Sequence, residues 1–128
     1  MPKEKPRRRA GPMTPLRVTD SYRRFVLDQL EELGDVKARS MFGGLGLYHR
    51  DLFFGIVAAD VLYLKVDDTT RGDYEGAGMG PFKPFPGRTP SMRYYAVPLE
   101  VLENAEELAR WARRAVDVAK RGRPRAAR

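Results

Sequence analysis

The chain has 128 residues, 42% of them apolar, no cysteine and a formal net charge of +7. That length suits one domain with tails, and the missing cysteines exclude disulfides, thiolate metal sites and cysteine nucleophiles. With no apolar run long enough to span a bilayer and no signal-peptide pattern, a cytoplasmic protein is expected.

The charge is uneven. Residues 1–17 carry +5, residues 120–128 carry +5, and the intervening 18–119 sum to −3. Residues 1–17 hold four prolines and the run Arg7, Arg8, Arg9, with too few apolar side chains to offset ordering entropy. A disordered basic N-terminal arm (1–17), a folded domain (18–119) and a disordered basic C-terminal tail (120–128) are therefore expected. Arg7, Arg8, Arg9, Lys120, Arg121, Arg123 and Arg125 are candidates for weak, sequence-independent phosphate contacts. Solubilising tails are the competing reading, because no aromatic residue is interleaved with them for base stacking.

In chain order, "TDSYRRFVLDQLEELG" reads as an amphipathic helix. Thr19 or Asp20 caps it, and Tyr22, Phe25, Val26, Leu30 and Leu33 line one face before Gly34 ends it. "VKARSMF" (36–42) alternates as a strand. Apolar runs at 45–48 and 52–57 flank His49-Arg50-Asp51 as a hairpin, and "DVLYLKV" (60–66) makes a further strand. "DDTTRGDYEGAG" starts as a short helix, with Asp68 or Thr69 as cap, and fails in glycines. The four prolines of 81–90 exclude a central strand, and Phe82 and Phe85 pin that segment to the body. "SMRYYAVP" returns as a strand. A long helix follows, broken near Asn104, with Leu108, Trp111, Ala112, Ala115 and Val118 inward. The pattern predicts an α+β fold, an antiparallel sheet of about five strands with both terminal helices packed on it.

Gly43, Gly44 and Gly46 look like a phosphate-binding loop, but such a loop leads into a helix, and these lead into strands. No Lys-Ser/Thr follows them, and the third position of a dinucleotide fingerprint falls on His49. A bend or bulge that allows close approach of backbone or bulky side chains accounts for them better. His49, the only histidine, reads as a solvated turn residue, and Asp67-Asp68 as a helix cap rather than a cation site. Ser40 lacks a nucleophile-elbow context. No catalytic, cofactor or metal constellation emerges, so a non-enzymatic protein is expected. Arg93, Tyr94 and Tyr95 raise base stacking on a sheet, although alternation sends at least one tyrosine to the core.

The ordered set "RSMFGGLGLYHRDLFFGIVAADVLYLKVDD", "PFKPFPG" and "MRYYAVPLEVLENAEELARWARRA" resembles the N-terminal domain of the TfoX/Sxy family over about residues 20–119. Met41, Phe42, Gly43, Gly44, Gly46 and Tyr48 carry the most specific stretch. The resemblance implies an α+β domain of a bacterial protein that regulates competence genes without catalysis, working with the cyclic-AMP receptor protein. Members with that role usually carry a second, helical domain, whereas here a basic tail follows. Two other readings stand beside this one. One is a small ligand-binding or enzymatic domain with a pocket under the 72–90 Gly/Pro loop, and the other is a homodimer.

Overall fold

The computed structural model describes residues 16–84 and 89–122. Arg7, Arg8, Arg9, Phe85, Arg123 and Arg125 lie outside them. The order is α1 (Asp20–Gln29), β1 (Val36–Met41), β2 (Gly44–His49), β3 (Leu52–Ala58), β4 (Val61–Lys65), α2 (Arg71–Gly76), β5 (Pro81–Phe82), β6 (Ser91–Ala96), α3 (Leu99–Leu102) and α4 (Ala105–Arg121). The six strands form one antiparallel sheet in the order β1-β2-β3-β4-β6-β5. The fold is thus the expected α+β arrangement with one extra strand. That strand, β5, is two residues long and lies at the sheet edge, where Pro81 removes no central ladder bond.

Three successive two-residue turns build the meander from β1 to β4: Phe42-Gly43, Arg50-Asp51 and Ala59-Asp60. All six residues have positive φ, from 49° to 90°. Positive φ at both central positions is the type I′ condition, whose twist matches that of the flanking strands. Only Gly43 of the six lacks a Cβ, so the other five carry the left-handed penalty.

Thr19 caps α1, its hydroxyl accepting from the Tyr22 amide. The Asp60 carboxylate accepts from both the Thr19 amide (2.8 Å) and hydroxyl (2.9 Å), fastening this helix end to the β3–β4 turn. Asn104 caps α4 by accepting from the Glu107 amide. The reciprocal half of a capping box is missing, because the Glu107 carboxylate instead accepts from Arg110 and from Trp111 Nε1.

One sheet face and the helices share the core. Leu47, Phe54, Leu62 and Leu64 meet Leu108 and Ala112 of α4, all fully buried, and Val26 and Leu30 close the cluster from α1 and its C-cap. Lys120 and Arg121, expected in a disordered tail, form the last turn of α4. Val118 and Ala119 are buried, and Arg121 bonds the Asp67 carboxylate at 2.8 Å, so tertiary contacts carry the helix into the charge run.

Candidate functional site

Alternation along the strands sends every second side chain away from the helices. The register places Lys37 opposite Tyr48, Arg39 opposite Gly46, and Lys65 opposite Tyr94. Between β2 and β3 the register shifts, so that Leu47 faces Gly55 while Tyr48 faces Phe53. Phe54 is the extra residue of this bulge. It turns into the core and leaves Phe53 on the side away from the helices.

The outcome is a row of three rings across the sheet. Tyr48 and Phe53 have centroids 5.1 Å apart, and Phe53 and Tyr94 5.7 Å apart. All three rings are half-buried. A cation rests on each end: the Arg39 guanidinium lies 5.3 Å from the Tyr48 ring, and the Lys65 ammonium 5.9 Å from the Tyr94 ring. Burial raises the Tyr94 pKa to about 12, whereas burial and then the neighbouring Arg93 charge lower that of Lys65.

Gly46 makes room for this row. A Cβ there would meet Phe53 Cε1 at 3.0 Å and Met41 Cε at 3.2 Å. Gly44 answers a different constraint, because its Cβ would stand 2.5 Å from the Val57 carbonyl oxygen. Neither glycine opens a helix, so neither arranges amides around a phosphate. Arg93, Tyr94 and Tyr95 divide as alternation requires. Tyr95 is 1% exposed and donates from its hydroxyl to the Glu75 carboxylate, while Tyr94 joins the row.

The strands contain no Asp or Glu, yet carry Lys37, Arg39, Lys65 and Arg93. The acidic residues of the folded part lie in helices and turns. A cavity of about 570 Å³ opens at the β1 edge, where Lys37, Arg39, Tyr48 and Arg50 face Asp35 and Asp51. Arg50 is already paired to Asp35 at 2.9 Å.

Phe42 is the most exposed large apolar side chain among the described residues, at 82%. It sits at the β1–β2 tip with φ +51°. Gly44 to Tyr48 spans four strand residues, roughly 13 Å, so the tip and the ring row occupy opposite ends of β2.

His49 is not a solvated turn residue. It ends β2 half-buried, and Nδ1 lies 2.8 Å from the Gly34 carbonyl, which can only accept, so the proton is on Nδ1. Asp67 receives the Thr69 amide and hydroxyl as well as Arg121, and these bonds hold its pKa at about 2. Its neighbour Asp68 pairs with Arg71. Thr70, not Asp68 or Thr69, stands at the N-cap of α2. Among the described residues no group of three or more His, Asp or Glu is placed to hold a metal ion, and no helix is long and apolar enough to cross a membrane. The described parts of the Gly/Pro loop lie against the body, with Tyr74 and Phe82 buried. The Met79 amide donates to the Tyr74 carbonyl, and the Ala96 amide to that of Gly80.

Sequence reasoning reached Tyr94 but not its companions. Tyr48 and Phe53 are separated from it by more than 40 residues, and only the register unites them. No curated protein matches the chain. The TfoX N-terminal domain family matches residues 28–119, which cover β1 to β6 and nearly all of α4. With an antiparallel sheet preceded by an N-terminal helix and followed by a C-terminal one, and the Met41-Phe42-Gly43-Gly44 turn joining its first two strands, the chain belongs to the TfoX N-terminal domain family.

Proposed function

We propose that this chain is a regulatory binding module of competence control, the process its family is associated with, and that it works by holding a protein partner rather than by catalysis. Phe42 carries the reading. An aromatic side chain largely in water at a turn that prefers Asn-Gly has no stabilising role there, and both its exposure and its backbone conformation act against it. Buried aromatic anchors dominate protein interfaces, and a projecting hairpin tip is a suitable way to present one. The partner is a transcription factor of the cyclic-AMP receptor type, as the family resemblance implies. The basic ends add sequence-independent phosphate contacts at the promoter.

Isothermal titration of the full chain into the cyclic-AMP receptor protein of the same organism, with and without promoter duplex, tests this reading. Micromolar binding that Phe42→Asn weakens at least tenfold is the expected result, since one anchor is worth about 2 kcal/mol or more. No binding in either format overturns it.

A further inference from the structure

The partner proposed above leaves the far end of β2 and the sheet face it belongs to without a role. We infer that this face is a binding site for single-stranded nucleic acid, with Tyr48, Phe53 and Tyr94 as stacking platform and Lys37, Arg39 and Lys65 as phosphate contacts. Ring geometry, charge and the fold's own exceptions each support it.

First, the rings of β2, β3 and β6 form a continuous row, 5.1 and 5.7 Å between centroids, and they stay partly exposed although the sheet's other face buries Phe54 and Tyr95 completely. Base–aromatic stacking is indifferent to sequence, because every base has a π-face, and sheets that bind RNA stack two or three bases on such rings.

Second, the charge on the strands is of one sign. Residues 18–119 sum to −3, yet the six strands carry only cations. Arg39 and Lys65 lie over the two outer rings, each held there by a cation–π contact. A phosphate offers each a stronger partner, and moving onto it uncovers the ring for a base. Duplex DNA fits poorly, because its bases are already stacked and its grooves expose base edges rather than faces.

Third, the fold makes exceptions to keep the row. Gly46 gives up a side chain where a Cβ would press on Phe53 and Met41, and the β-bulge at Phe54 is what returns Phe53 to this face. An ordinary core needs neither.

The test uses the full chain and fluorescence anisotropy with a labelled oligothymidylate 12-mer. An abasic 12-mer with the same phosphates, an oligouridylate 12-mer and a poly-glutamate peptide serve as competitors. The two terminal arms contribute equally to the thymidylate and abasic strands, so the ratio between those isolates stacking. A preference of at least tenfold for the base-bearing strands is expected, and the uridylate shows whether an RNA strand competes as well as the DNA strand. Tyr48→Leu with Tyr94→Leu keeps apolar bulk but removes two platforms, and should bring that preference to within twofold. Arg39→Gln with Lys65→Gln, at exposed or half-exposed positions that do not risk the core, should weaken thymidylate binding at least fivefold. It should also flatten the salt dependence by about 1.4 in log–log slope, about 0.7 for each lost phosphate contact.

Equal affinity for abasic and base-bearing strands overturns the inference, as does poly-glutamate displacing the oligonucleotide as well as thymidylate does. An undiminished preference in the double leucine variant, with melting showing it folded, overturns it too. Phe42→Asn should leave thymidylate binding unchanged, so loss of the partner reading and loss of this one are separate results.

Discussion

Replacing Gly44 by alanine adds one methyl group, and the structure says where it goes. The new Cβ would stand 2.5 Å from the Val57 carbonyl oxygen and 3.3 Å from that of Leu16. Ordinary contact begins near 3.4 Å, so the nearer atom must retreat by about 1 Å. Both oxygens belong to the main chain, and no side-chain rotation relieves the clash. Val57 lies in β3, whose register fixes it opposite Leu45, and moving it disturbs the ladder at the centre of the sheet. Overpacking costs about 1–3 kcal/mol when side chains can adjust, so about 3 kcal/mol is expected where backbone must move. For a domain of this size that lowers Tm by about 10 °C. Gly34→Ala is the control. Its φ is +79° but nothing lies within 4 Å, so it loses only left-handed freedom, about 1 kcal/mol. Urea melts of the three proteins should give equal m-values and separate the two costs. A Gly44→Ala protein within 1 kcal/mol of the parent would refute close backbone approach as the reason for this glycine.

Two further outcomes follow from the turns and the charges. Ala59 holds φ +52°, so Ala59→Gly, which removes only a methyl group, should raise stability by about 0.5–1 kcal/mol in a urea melt. Asp67 is held at a pKa of about 2 against an ordinary 3.8, first by Thr69 and then by Arg121. Because its folded pKa is the lower, the contribution is complete above pH 4 and is lost as pH falls toward 2. With a third of the side chain exposed, screening reduces it to about 1 kcal/mol. Asp67→Asn should therefore be less stable than the parent at pH 6 and nearly equal to it at pH 2.5.

What the sequence disclosed follows the range of each interaction. The apolar stripe of α4 and the Asn104 break are local patterns, and both are in the structure. The hairpin around residues 50–51 was readable from two apolar runs. The Phe42-Gly43 turn was harder, because phenylalanine stands where the favoured pair has asparagine, and its tip position shows only once β1 and β2 are paired. Lys120 and Arg121 look like tail because what keeps them helical includes Asp67, 54 residues away from Arg121. The ring row needs the β2–β3 bulge, which shifts Phe53 against Phe54, and no periodicity announces a bulge. Tyr94 and Tyr95 were separable by alternation alone, but not which of the two faced outward.

The most direct test of the regulatory account sets stability against activity at one residue. Phe42→Asn installs the Asn-Gly pair that a type I′ turn prefers, and it removes an apolar ring that is 82% exposed. Thermal melting and transcription from a competence promoter in vitro, with the cyclic-AMP receptor protein present, are measured on the same preparation. The account predicts a protein about 0.5–1 kcal/mol more stable than the parent that no longer supports transcription. A variant that is more stable and fully active would contradict it, leaving Phe42 without a part in holding a partner.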